Sequence, residues 1–154
     1  MKRRAAIHWV GGTVLVCVTA PATRAWASDR IPFEPLRDGQ RSKTQKAAQA
    51  VVRSEKDWER ARADLVGPLP GEPLKVDWER EMVLGVFLGM RPSSGYRVSI
   101  QEIRETKERL VVRYREHRPP PGAITLSVLT SPFQIVKLKR SVLPVEWKEV
   151  KEDG

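Results

Sequence analysis

One short run limits the fold more than any other feature: Met82-Val83-Leu84-Gly85-Val86-Phe87-Leu88 carries no polar side chain. A run of that length is too short for a buried helix and suits a strand. A strand that is apolar on both faces must be covered on both, so the run predicts a central strand with material above and below it. Gly89-Met90-Arg91-Pro92-Ser93-Ser94-Gly95 breaks it.

The residues that follow read as further strands. Tyr96, Val98 and Ile100 alternate with Arg97, Ser99 and Gln101, which predicts a strand with one wet face. Ile103 is out of phase, so a bulge or a strand end is expected there. Leu110, Val112 and Tyr114 alternate with Arg113 and Arg115 in the next strand. Arg118-Pro119-Pro120-Pro121-Gly122 lacks the N–H donors of a ladder and must be a connection. Ile124 to Leu129 reads as another strand, Thr130-Ser131-Pro132 interrupts it, and Phe133 to Leu138 resumes. Val145 to Val150 is expected as a last edge strand. Upstream, Ala50-Val51-Val52-Arg53 is a short apolar run. Ser54 followed by Asp57 resembles a capping box with Asp in place of Glu. Trp58, Ala61 and Leu65 then mark one face of a helix that Gly67-Pro68 ends. Short loops favour antiparallel neighbours. The expected fold is α+β: a small, mostly antiparallel β-sheet domain with one N-terminal helix packed on it.

The start of the chain speaks to compartment. Lys2, Arg3 and Arg4 precede a charge-free, mostly apolar stretch from Ala5 to Ala22, and Ala25-Trp26-Ala27 follows. That order is the pattern of a cleaved secretory signal, with cleavage expected between Ala27 and Ser28. Gly11, Gly12, Thr13 and Pro21 make the stretch weak for a membrane anchor, so no integral span is expected after cleavage. A periplasmic or secreted bacterial protein is the expectation. Residues 28–46 are polar and Pro-punctuated and read as a flexible N-terminal lead. Residues 47–154 read as one domain.

Export changes the charge argument. The whole chain has a formal net charge of +9, but the signal takes Lys2, Arg3, Arg4 and Arg24 with it and no acid. The remaining basic residues are interleaved with acids, as in Arg104-Glu105-Thr106-Lys107-Glu108-Arg109. Mixed signs mark a solvated surface rather than a phosphate track, so no nucleic-acid partner is expected.

A search for chemistry returns mostly absences. The single cysteine, Cys17, and one of the two histidines, His8, lie in the signal. No thiolate nucleophile, disulfide or thiolate metal site is left, and the scattered carboxylates form no compact ligand set, so no metal and no cofactor are expected. His117 could serve as general base to a serine or be a solvated loop histidine. No spacing links it to a nucleophile, and the solvated reading stands. No catalytic residue is assigned. Trp58, Trp78, Phe87, Tyr96, Tyr114, Phe133 and Trp147 fall mostly at core positions of the expected elements.

Two segments taken together carry a resemblance. The first is Val76-Asp77-Trp78-Glu79-Arg80-Glu81 through the apolar run to Arg91-Pro92-Ser93-Ser94-Gly95-Tyr96. The second is Pro121-Gly122 followed by Leu129-Thr130-Ser131-Pro132-Phe133-Gln134-Ile135-Val136-Lys137. Their order resembles the C-terminal domain of the protease-complex subunit PrcB family. That family shows an acid-aromatic pair, an apolar strand, a Gly-x-x-Pro-[Thr/Ser]-Gly-Gly-Tyr turn and a later Thr-Ser-Pro-[Tyr/Phe] step. The resemblance implies an accessory domain that binds another exported protein, as a subunit of or partner to an extracytoplasmic protease, with no catalytic residue. Two departures are visible. Ser94 stands where the family often has glycine, which would strain a turn that needed positive φ there. Phe133 replaces Tyr and loses a hydroxyl.

Arg91, Pro92, Ser93, Ser94, Gly95 and Tyr96 form one candidate partner-binding loop, and Thr130, Ser131, Pro132 and Phe133 a second. A Pro-stiffened turn loses little entropy when a partner fixes it. The two loops would form one contact surface if they lay at the same end of the sheet. They would be ordinary turns if Tyr96 and Phe133 pointed inward. An alternative function is protease inhibition, since Pro92-Ser93-Ser94-Gly95-Tyr96 resembles the Pro-Thr-Thr-Gly-Tyr loop of the chagasin-type cysteine-protease inhibitors.

Overall fold

The computed structural model describes residues 29–69, 71 and 73–151. The expected signal, with Cys17 and His8, lies outside the described residues. The described residues form eight strands and one short α-helix in this order: β1 (Asp29–Arg30), β2 (Phe33–Gly39), β3 (Ala48–Val52), α1 (Glu55–Ala61), β4 (Glu81–Phe87), β5 (Arg97–Glu105), β6 (Leu110–His117), β7 (Phe133–Lys139) and β8 (Val145–Glu149). They make two four-stranded sheets, one ordered β1-β5-β6-β8 and the other β2-β7-β4-β3.

Three layers result. Met82, Leu84 and Val86 of β4 and Val136 and Leu138 of β7 meet Val98, Ile100, Ile103, Leu110 and Val112 of the facing sheet. The opposite face of β4 and β7, with Val83, Phe87, Phe133 and Ile135, packs against Trp58, Ala61, Leu65 and Val66 and against Leu74, Val76 and Trp78. The β4 run is therefore apolar throughout because helix and loop cover one face and a second sheet the other.

Two expectations about architecture are corrected. The sheet is two sheets, since the strands facing β4 lie in a separate layer and not beside it. The helix is mid-chain and follows three strands. The stretch 28–46 supplies β1 and β2, and β2 pairs with β7 from Phe33↔Leu138 to Gly39↔Phe133. Pro35 is tolerated because β2 is an edge strand, with a register shift between Pro35 and Arg37.

The local signals hold where they were strongest. Ser54 caps α1: its Oγ accepts the Asp57 N–H at 3.2 Å and donates to the Asp57 carboxylate at 2.7 Å. The helix closes in a π-turn, Arg62–Val66, whose exit at Gly67 has φ +82°. The register of β5 and β6 shifts between Ile100 and Glu102, the bulge that returns Ile103 to the core. β6 and β8 pair in parallel, because the chain visits the other sheet through β7 between them.

Ile124 to Leu129, expected as a strand, forms none. The preceding Pro119-Pro120-Pro121 cannot donate to a ladder. The segment instead runs over the surface. Ile124 is fully exposed, Leu126 is 71% and Leu129 66% exposed, and Val128 is also exposed.

Candidate functional site

The loop after β4 and the loop before β7 meet at one end of the molecule. The Arg91 N–H donates to the Thr130 carbonyl at 2.8 Å and the Thr130 N–H to the Arg91 carbonyl at 2.9 Å. Thr130 Oγ1 donates to the Ser93 carbonyl at 2.8 Å. The two candidate loops therefore share one end of the fold.

Their side chains play different parts. Thr130, Ser131, Pro132 and Phe133 are buried. Ser131 Oγ lies 2.6 Å from Ser42 Oγ and donates to the Thr44 carbonyl at 2.8 Å, so the step is latched to the loop after β2. The Pro132 carbonyl accepts the Leu88 N–H at 3.0 Å. The Phe133 ring stacks on Phe87 with centroids 5.8 Å apart and planes 17° apart. These four residues are packed into the framework at this end of the fold.

The turn Arg91–Tyr96 is framework and surface at once. Arg91 grips Glu116 with two hydrogen bonds of 3.0 Å and donates to the Leu88 carbonyl at 2.8 Å. The Arg91 guanidinium holds the Glu116 carboxyl below its ordinary range. Gly89, at φ +74°, lets the chain pass where a Cβ would lie 2.6 Å from the Lys46 carbonyl carbon. Pro92 is exposed, while Ser93 to Tyr96 are half-buried. Ser94 is not strained, since no non-glycine residue described has positive φ. Its Oγ accepts the Leu126 N–H at 3.0 Å, and its own N–H donates to the Leu126 carbonyl at 3.1 Å. The serine found in place of glycine thus pins the exposed segment Ile124–Leu129 to the turn.

That segment is what the sequence did not single out as a site. Met90 is exposed beside it, and Met90 and Leu129 share a shallow hollow with Arg41, Lys43 and Thr44. A contiguous exposed aliphatic patch is uncommon on a folded domain and marks a contact surface more often than a lone exposed leucine does.

A groove of about 540 Å³ opens on the other side of the turn, lined in part by Gln40, Arg97, Ser99, His117, Arg118 and Gln134. Here the structure brings together two residues that spacing did not. The β5–β6 register sets Arg97 opposite His117, and Ser99 Oγ reaches His117 Nε2 at 2.6 Å. Gln101 Nε2 donates to the same Oγ at 2.6 Å. Among the described residues no carboxylate bonds the His117 ring, so the third member that orients a catalytic histidine is missing from the arrangement. A helix long and apolar enough to cross a membrane is likewise absent among the described residues.

A family model described as PrcB C-terminal matches residues 82–139, the span from β4 through β7 that contains both loops and the exposed segment. No curated protein and no solved structure matches the chain.

Proposed function

We propose, from the premise that residues 82–139 belong to the PrcB C-terminal family, that this chain is an exported, non-catalytic accessory domain that binds a protease or another subunit of a protease complex. The observation that carries the reading is the aliphatic patch of Ile124, Leu126, Val128, Leu129 and Met90, held on a rigid end of the matched region. Such a surface binds without chemistry: burying four or five aliphatic side chains contributes about 1.5–3 kcal/mol each before the costs of association. Preorganisation keeps those costs low, because the turn beneath is already fixed by Arg91, Thr130 and Ser94. The leader Lys2 to Ala27 supports export.

The test is to isolate the tagged full-length chain from the envelope and culture fractions of its bacterium after mild cross-linking. The reading predicts a mature N-terminus at Ser28 and a stoichiometric protein partner with proteolytic activity. A chain that stays in the cytoplasm, or that repeatedly comes out alone, overturns it.

A further inference from the structure

The sheet β1-β5-β6-β8 turns one face to the core and the other outward, and its strands sort charges that the sequence shows mixed. Arg104-Glu105, Arg115-Glu116 and Lys148-Glu149 each set a cation beside an acid. Neighbours in a strand point to opposite faces. The register says which way each goes. Glu105 lies opposite Leu110, Glu116 opposite Val98 and Glu149 opposite Tyr114, all on the side of the core between the sheets. The cations beside them therefore turn outward. Interleaved signs predict a balanced surface, and in these strands the pleat separates them instead.

The outer face is built around one acid. Glu102 gathers Arg104 at 2.9 Å, Arg113 at 3.6 Å and Arg30 at 3.8 Å. It is sunk beneath its partners: its side chain is 13% exposed, against 72% for Arg30, 48% for Arg113 and 46% for Arg104. One carboxylate cannot occupy the N–H groups of three guanidiniums, each with five donors. Farther along the same face Ser99 lies opposite Arg115, and Arg97 opposite His117. Arg97 and Arg115 form no ion pair among the described residues, and Arg115 Nε has no hydrogen-bond partner. Toward β8 the charges balance: Glu146 meets Lys148 at 3.2 Å and Arg109 at 3.1 Å, and Arg109 also reaches Glu108 at 3.4 Å. Asp38 lines the same groove as Arg97. The face thus sets five arginines against the sunken Glu102, with Asp38 near one end.

The chemistry of this face selects its occupant. Among its strand residues only Val111 is apolar, and it is half-buried. The face therefore lacks the apolar centre of a protein interface. It presents no aromatic ring on which a nucleic-acid base could stack. Guanidinium groups bind phosphate oxygens through paired N–H donors. Strands spaced about 4.8 Å apart spread those groups over a broad face rather than into a cleft. Such a face complements a layer that repeats its phosphates in two dimensions, as anionic phospholipid headgroups do.

We propose that the outer face of β1-β5-β6-β8 seats the domain on an anionic phospholipid surface, with Arg30, Arg97, Arg104, Arg113 and Arg115 on the headgroup phosphates. This goes beyond the proposed protein-binding function, does not depend on it and uses other residues than the aliphatic patch.

The test is co-sedimentation of the purified full-length chain with vesicles of about 70% phosphatidylcholine and 30% phosphatidylglycerol, and with phosphatidylcholine alone, at about 0.05 and 0.5 M salt. Arg30→Gln/Arg97→Gln/Arg113→Gln removes three cations from the face. Lys46→Gln/Lys56→Gln/Arg60→Gln removes three exposed cations elsewhere, so the two variants share one net charge. At low salt, wild type is expected to bind the anionic vesicles at least about tenfold more tightly than the neutral ones, and high salt should remove the difference. The first variant should lose at least about tenfold and the second should bind as wild type does. Arg97→Gln alone, at an exposed residue without an ion pair, should cost about fivefold and carries the test if the triple variant lowers the urea midpoint. Equal loss in both triple variants, or equal binding to anionic and neutral vesicles, overturns the proposal. Binding that persists at high salt and is lost in Ile124→Asp overturns it in favour of the aliphatic patch. If vesicles are not bound, but wild type and not the first variant retains long-chain polyphosphate or an acidic protein, the face belongs to that partner and the proposal falls.

Discussion

Phe133 and Phe87 form a stack with a glycine close against each ring. A Cβ at Gly39 would lie 2.8 Å from Phe133 Cε1 and 3.1 Å from Cζ, and a Cβ at Gly85 would lie 2.9 Å from Phe87 Cε2. Carbon atoms prefer about 3.5–4.0 Å, so Gly39→Ala must displace the Phe133 ring by roughly 0.7 Å or more. The ring cannot retreat, because Phe87 is stacked behind it and Phe87 is itself closed in at Gly85. Overpacking of this kind costs about 1–3 kcal/mol. Phe133→Leu alone should cost about 1.5 kcal/mol as a near-conservative swap with a small void. In the double variant the shorter Leu leaves room for the alanine methyl, so Gly39→Ala should then cost almost nothing. The coupling, about 1–3 kcal/mol, exceeds the roughly 0.3–0.5 kcal/mol within which independent sites add. Urea unfolding of the four proteins measures it. Additive costs, or a Gly39→Ala chain as stable as wild type, would refute the claim that the Thr-Ser-Pro-Phe step is packed framework.

Two further predictions follow from single contacts. Glu116 is held below its ordinary pKa of 4.5 by Arg91; a carboxyl depressed on folding stabilises above its unfolded value and loses that contribution as pH falls through its folded value. Hydrogen exchange at the Arg91 and Thr130 amides should therefore quicken below about pH 4, beyond the intrinsic pH effect, and Glu116→Gln should show that faster exchange already at pH 7. Ser99, although 2.6 Å from His117, should not react with a fluorophosphonate, since no carboxylate among the described residues orients the ring; a mass-spectrometric adduct on Ser99 would restore the enzyme reading.

What could be read from sequence was local. The β4 run, the Ser54 cap and the Ile103 phase slip each depend on neighbours within a few residues, and each appears in the structure. Long-range partners were not legible. β4 pairs with β7 across a gap that holds another hairpin, so the division into two sheets left no periodic trace. β2 was hidden by Pro32, Pro35 and its register shift, which break the alternation that marks a strand. Ser131 looked like an exposed loop residue because the hydroxyls that satisfy it, on Ser42 and Thr44, lie 87 or more positions away. Ser99 and His117 could have been paired, had the bulge between Ile100 and Glu102 been used to set the hairpin register. Ile124–Leu129 forms no strand, because the Val128 N–H turns back onto the Leu126 carbonyl and Leu126 is held by Ser94, contacts that its apolar composition does not reveal.

The most direct check on a role in surface contact compares wild type with the Ile124→Asp/Leu126→Asp chain. Both would be expressed at equal level in the source cells, and quantitative mass spectrometry would read the proteins isolated with each. Neither side chain is buried, so both chains should fold alike. The account predicts a protease-complex component that is abundant with wild type and reduced at least about tenfold with the variant. Equal recovery from both chains would contradict it.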